Sequence, residues 1–249
     1  MLHCYIIVPY RARGNQTERK QQLEYFIPYM NNYMKQFSIK YTIMVMEQND
    51  DKLFNRGKLF NIGMLEATKL LVKGEKSYFC HQNVDLIPQK LDYSLYFEGI
   101  TDVWGYDLGL GAMYFTDLAS YITINGYPND YDGYGQDDVI LLERCKFKNV
   151  PVDLSLKNLI KEKQKEVHDK MPTEFYMNDQ RLDELLIRDY GEYKKDEWAD
   201  YNADSINKEK VFKELENPAT YIDNGLNTCT YHVDSITDIT HKHYLISWK

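Results

Sequence analysis

The stretch His3-Cys4-Tyr5-Ile6-Ile7-Val8-Pro9 alternates, ends on a proline and reads as a buried strand stopping at a loop. The segments after it fix the class. Asn15 with Glu18 three residues later is a helix-start signature, so a helix is expected to about Phe37. Tyr41-Thr42-Ile43-Met44-Val45-Met46 reads as a second strand before a polar turn. Phe60, Met64, Ala67 and Leu71 then recur at helical spacing, which predicts a helix over about 56–72 with one apolar stripe. Ser77 to Asn83 reads as a third strand, stopping at Val84-Asp85. Strand–helix–strand–helix–strand in ninety residues implies an α/β, Rossmann-like, doubly wound and mostly parallel sheet flanked by helices, with right-handed crossovers.

The second half is more irregular. Gly105 to Phe115 is rich in glycine and aromatics, and Gln136 to Lys146 reads as a helix. Residues 157–203 are highly charged, with a loop expected around Val167 to Asp179. Thr228 to Trp248 alternates like a closing strand pair. With no repeat or low-complexity linker, 1–249 reads as one domain, with a regular half over about 1–90 and a more irregular one over about 91–249.

The chain has 249 residues, 43% hydrophobic and 27% charged, as in a globular protein with a real core. Thirty Lys+Arg against 38 Asp+Glu leave a net charge of −8, and no basic run is present. That excludes the clustered cations non-specific nucleic-acid binding needs, so no nucleic-acid partner is expected. No stretch approaches the roughly 20 apolar residues that span a bilayer. Met1 leads straight into the first strand, which sets the expectation of a cytoplasmic location without a signal peptide. Cys4, Cys80, Cys145 and Cys229 are scattered without a CxxC pair and read as buried free thiols.

In open parallel sheets ligands bind beyond the carboxyl ends of the strands. Three loops fall there: Tyr10–Arg13, Glu47–Arg56 and Asn83–Pro88. They offer Arg11, Arg13 and Arg56 as cations and Asp85 as an acid for a hard metal ion, a combination suited to a diphosphate. Any one of these arginines alone also suits a solvated surface.

The most unusual segment is Asn125-Gly126-Tyr127-Pro128-Asn129-Asp130-Tyr131-Asp132-Gly133-Tyr134-Gly135-Gln136-Asp137-Asp138. As a calcium loop it would start at Pro128 and end at Val139, neither a carboxylate, so an EF-hand is rejected. A glycine-rich turn opening into a helix can hold one carboxylate as a general base, with Tyr134 as a flat surface for a sugar ring. A plain Gly/Tyr turn capped by aspartate has the same look. There is no P-loop, GxGxxG or Gly-x-Ser-x-Gly elbow.

Several blocks together resemble the β1,4-galactosyltransferase family. They are Ile6 to Arg13, Glu47-Gln48, Phe54-Asn55-Arg56-Gly57-Lys58-Leu59-Phe60-Asn61-Ile62-Gly63, Val84 to Pro88, Ile124 to Asn129 with Gly133 to Asp138, and Asn224-Gly225-Leu226-Asn227. They fall in family order and cover nearly the whole catalytic domain. The resemblance implies a GT-A fold and inverting transfer of a hexose, galactose or GalNAc, from a UDP-sugar to a sugar hydroxyl in a β1,4-type linkage. The acceptor would be GlcNAc-like, whether free, lipid-linked or protein-linked. By position, Pro9, Tyr10, Arg11, Arg13, Phe54 and Arg56 would hold the uridine and diphosphate. Val84 and Asp85 match the end of the family's Asp-Val-Asp, whose last acid binds Mn²⁺. Asp138 matches the general base, Asp137 the neighbouring acid that contacts the acceptor, and Tyr134 a loop tryptophan. His168, placed in the long charged loop, matches a histidine that completes the metal site.

Three departures stand out. The first acid of Asp-Val-Asp is Asn83, and Lys165 falls opposite a methionine ligand. Gly109 falls where a large residue decides between galactose and its N-acetyl form, so the glycine is expected to leave space. The family's disulfide cysteines and membrane anchor are not evident, which fits a bacterial or viral cytosolic member. Asn83 and Lys165 also motivate an alternative, a non-catalytic sugar-nucleotide or glycan-binding module on the same fold. His241 and His243 read as structural.

Overall fold

The structure, a computed structural model, describes residues 1–12, 17–95, 97–168, 186–188 and 201–248, with backbone alone at 17–18, 163–168, 186–188 and 201–202. Strand β1 (Leu2–Tyr10), helix α1 (Thr17–Met34), β2 (Lys40–Gln48), α2 (Arg56–Thr68) and β3 (Lys76–Gln82) keep the expected alternation. β1 pairs in parallel with both β2 and β3, so Pro9 lies beside Met46 and Tyr10 beside Glu47.

The period of two in β1 explains the layering. Cys4, Ile6, Val8 and Tyr10 face one side and pack with Phe26, Met30 and Met34 of α1. Tyr5 and Ile7 face the other side and pack with Leu59, Phe60 and Met64 of α2. Each helix thus covers one face of a strand buried on both.

Beyond this unit come β4 (Leu86–Pro88), β5 (Ile100–Trp104), β6 (Met113–Thr116), α3 (Leu118–Thr123), α4 (Asp137–Phe147) and β7 (Val152–Asp153). Then come α5 (Ser155–His168), β8 (Leu186–Arg188), α6 (Tyr201–Glu216), two 3₁₀ turns, β9 (His232–Asp238) and β10 (Lys242–Ser247). The main sheet has the order β7-β5-β6-β3-β1-β2-β10-β9. Its centre, β3-β1-β2-β10, is parallel, whereas β6 joins β3, and β9 joins β10, antiparallel. The sheet is therefore mixed and mostly parallel, as expected, and Thr228 to Trp248 closes it as a strand pair.

α5 runs through His168, so the expected loop start at Val167 lies inside a helix. Leu156 and Ile160, four residues apart, seat this helix on the core despite its dense charge. The remainder of the expected loop, to Asp179, lies outside the described residues. The four cysteines are free, three of them buried and Cys229 half-buried. Among the described residues no helix is long and apolar enough to cross a membrane.

Gly63 sits where α2 rests on β1, and a side-chain carbon there would collide with Ile7. Gly63→Ala is expected to lower the free energy of unfolding by about 1–3 kcal/mol, read from denaturant titration, through overpacking.

Candidate active site

The β2–α2 loop is built by side chains that stand in for a backbone turn. Gln48, buried at the end of β2, donates to the Leu53 carbonyl at 3.0 Å and accepts from the Asn55 amide at 2.9 Å. Asn55 caps α2, accepting from the Lys58 amide at 2.8 Å. Its amide group also donates to the Asn129 carbonyl and to Asp132, at 2.9 and 3.0 Å. The first residue of α2, Arg56, thereby faces α4, and its Nε donates to Asp137 Oδ2 at 2.7 Å. Phe54 is half-buried, and its carbonyl accepts from Gly133 at 2.8 Å.

Asp137 and Asp138 occupy the first turn of α4, where the helix dipole favours negative charge. The turn before them needs left-handed backbone at Gly133, Gly135 and Gln136, with φ of 77°, 94° and 69°. Asp138 lies against Gly109 and Gly111: a Cβ on Gly109 would come within 2.9 Å of its carboxyl carbon, and one on Gly111 within 3.1 Å of Oδ2. The Leu110 amide, between the two glycines, donates to the Asp138 carbonyl at 2.9 Å. A side chain at position 109 would therefore meet Asp138 itself. Burial first, and the charge of Asp137 second, push the Asp138 carboxyl above the usual aspartate range, with Arg56 opposing.

Tyr134 is 54% exposed beside this pair. Its loop is held from α6 by Asn207, which donates to the carbonyls of Asp132 and Gly135 at 3.2 and 3.1 Å. Gln136 is held by Asp204 at 2.9 Å. Neither Asn207 nor Asp204 is foreseeable from the sequence, since both fall in a charged stretch without a motif.

The nucleotide-side residues are less tightly gathered. Pro9 and Tyr10 are buried at the end of β1. The Arg11 guanidinium donates to the carbonyls of Asp50 and Lys52 and so clasps the β2–α2 loop. His243 of β10 bonds Glu47 at 2.7 Å, tying β10 to the end of β2. Val84 and Asp85 are buried, and Arg19 of α1, a cation the motifs do not mark, reaches Asp85 at 3.1 Å. Arg13 lies outside the described residues. His168 is the last residue of α5, and the side chains of His168 and Lys165 lie outside the described ones.

A metal ion would draw on the end of β3. There Asp85 offers a carboxylate and Asn83 a buried Oδ1 with no hydrogen-bond partner, both hard oxygens of the kind Mn²⁺ accepts. The donor chemistry fits. Among the described residues no cluster of three His, Cys, Asp or Glu side chains could hold an ion, so substrate oxygens or further residues would complete the shell.

Residues 2–97 match the family model for the N-terminal region of glycosyl transferase group 7. Human β-1,4-galactosyltransferase 1 is 30% identical over 160 residues, covering 59% of this chain and 37% of the relative. By these matches the chain is similar to β1,4-galactosyltransferases over part of its length. The xylosylprotein 4-β-galactosyltransferase of Caenorhabditis elegans is 28% identical over 144 residues, 53% of this chain and 46% of the relative. The chain thus spans less than half the length of these curated relatives. A solved structure of Drosophila β1,4-galactosyltransferase 7, a mutant in complex with manganese, UDP-Gal and xylobiose, superposes with a TM-score of 0.67 at 17% identity. That match covers 100% of this chain and 95% of the other, and the shared architecture is the GT-A fold.

The raised pKa of Asp138 has a measurable consequence. The folded state disfavours its charged form at neutral pH, whereas below the ordinary aspartate pKa of about 3.9 the group is protonated folded or unfolded. Asp138→Asn is therefore expected to raise the melting temperature at pH 7, by about 2–4 °C per kcal/mol recovered. The gain should vanish near pH 3.

Proposed function

We propose that this chain is a metal-dependent inverting galactosyltransferase, moving galactose from UDP-galactose to a sugar hydroxyl in a β1,4-type linkage. The observation that carries this reading is the pair Asp137–Asp138. Two adjacent carboxylates have different surroundings: one is neutralised by Arg56 at 2.7 Å, the other is pressed between Gly109 and Gly111 with its pKa raised. Neighbouring carboxylates with such different partners are suited to different tasks.

Asp138 takes the proton from the acceptor hydroxyl as its oxygen attacks the anomeric carbon from the face opposite UDP, which inverts the configuration. A pKa above the usual aspartate value makes its carboxylate a better proton acceptor. Asp137, fixed by Arg56, orients the acceptor through its other oxygen, and Tyr134 offers an exposed ring for the sugar face. Pro9, Tyr10, Arg11, Arg13, Phe54, Arg56 and Val84 form the uridine and diphosphate side. Asp85, with Asn83 beside it and His168 from the end of α5, would hold Mn²⁺, which neutralises charge on the departing diphosphate.

Galactose is taken before GalNAc because the structurally similar Drosophila enzyme was solved with UDP-Gal. The acceptor is a carbohydrate bearing a free equatorial hydroxyl, and GlcNAc and xylose are the first to try.

UDP release from UDP-Gal, UDP-GalNAc and UDP-Glc, each with GlcNAc or a β-xyloside, in Mn²⁺ and in EDTA, tests this reading. Mn²⁺-dependent release from UDP-Gal is expected, with kcat lowered about 10²–10⁴-fold in Asp138→Asn. UDP binding without turnover of any donor would mark a sugar-nucleotide-binding module instead.

A further inference from the structure

Lys157 and Asp102 form the most deeply buried ion pair among the described residues, 3% and 0% exposed, with Nζ 2.6 Å from Oδ2. No motif marks either one. Burying two charges is costly and is often neutral or worse for stability against an apolar pair, so such a pair invites a reason other than stability. The reason lies in the other bonds of Lys157. The same ammonium donates to the Tyr106 carbonyl at 2.9 Å and reaches the Gly109 carbonyl at 3.4 Å. These two carbonyls belong to the segment that carries Gly109, Leu110 and Gly111 against Asp138, and the Gly109 amide closes it by donating to Tyr106 at 3.1 Å.

We infer that Lys157 is a positioning residue: anchored by Asp102, it holds segment 105–111 in the shape that seats the Asp138 carboxylate. Leu110 is the one side chain of the segment buried in the core. Tyr106 and Leu108 are exposed at 58% and 64%, and Gly105, Gly109 and Gly111 contribute no side chains, so packing fixes the segment at a single point. One turn further along α5, Lys161 pairs with Asp107 of the same segment, but at an exposed site where an ion pair adds little. The buried tether is the one that counts.

The position of Lys157 has a second consequence. It is in the first turn of α5, and His168 ends that helix. One helix therefore carries both the lysine at the seat of the proposed base and the residue proposed for the metal.

The inference rests on the proposed transfer reaction for its kinetic arm and stands apart from it in its structural arm. The structural arm is hydrogen exchange of peptides spanning 105–111 in the full chain, where the Leu110 amide reports its bond to Asp138. Three variants are compared with wild type: Lys157→Met, Asp102→Asn, and the doubly neutral Asp102→Asn/Lys157→Met. The double variant should melt within a few degrees of wild type yet exchange at least tenfold faster in 105–111. Its kcat with UDP-Gal should fall at least tenfold while the Michaelis constant for the donor moves less than threefold. Asp102→Asn, which keeps the lysine on its two carbonyls, should keep kcat within threefold even where it melts lower. Wild-type protection of 105–111 in the double variant overturns the inference, as does kcat that tracks melting temperature across the set. Should the double variant not fold, Lys157→Met against Asp102→Asn carries the same contrast. Loss of wild-type turnover on every donor would count against the proposed reaction alone, since the exchange result reads the tether without it.

Discussion

The ion pair between Arg56 and Asp137 is the contact on which the arrangement of the two halves depends. Arg56 opens α2, the helix that packs on β1 and β2, and Asp137 opens α4, so the pair ties one helix N-terminus to another. Neither end could sit there unaided. Burial alone would lower the Arg56 pKa, and the charge of Asp137, with those of Tyr127 and Asp138, more than offsets it. In a half-dry cleft, removing either the guanidinium or the carboxylate leaves the other uncompensated. The remaining polar contacts between the halves serve to bring these two groups within reach.

Much of the motif-bearing sequence has that scaffolding task. Asn61, buried in α2, donates to the Tyr127 carbonyl at 2.7 Å and accepts from the Tyr121 hydroxyl at 2.8 Å. Asn129 donates to the Gly225 carbonyl at 2.6 Å and takes the side-chain oxygen of Asn224 at 2.7 Å on its own amide. Asn125 donates to the Tyr221 carbonyl and accepts from the Asn227 amide, at 2.8 and 3.0 Å. Irregular backbone must pair its polar groups somewhere, and a short amide side chain, donor and acceptor at once, suits a loop that has no strand beside it. Arg144, 2% exposed, closes the assembly with both oxygens of Glu214 in α6 and the carbonyls of Gly126 and Asn224.

This division explains what was legible in the sequence. β1, α1, β2, α2 and β3 are readable because their apolar residues repeat at the periods that burial on a two-faced sheet imposes. Asp137 and Asp138 are readable because the glycines before them announce a special turn at a helix start. Asn207, Asp204, Lys157 and Arg19 are not, since a polar residue on a charged helix gains its role only from what it meets in space. The antiparallel placement of β6 escaped for a related reason: its four residues, Met113 to Thr116, carry no sign of direction. The contact of Gly109 with Asp138 was not legible either, because a glycine shows that space is needed without showing what occupies it.

The contrast between the two aspartates is a product of the fold rather than of any special property of the residues. Both sit at the same helix end and both feel its dipole. Asp137 points toward α2 and meets a cation, whereas Asp138 points toward 109–111 and meets bare backbone, which offers close packing without charge. Desolvation is what raises the Asp138 carboxyl, against the pull of the Val139 amide, which donates to its Oδ1 at 3.0 Å. A turn of about 100° along one helix is enough to separate the two environments. The glycine at 109 matters for that reason: any side chain there would push Asp138 away from the seat that keeps its carboxylate dry and ready to accept a proton.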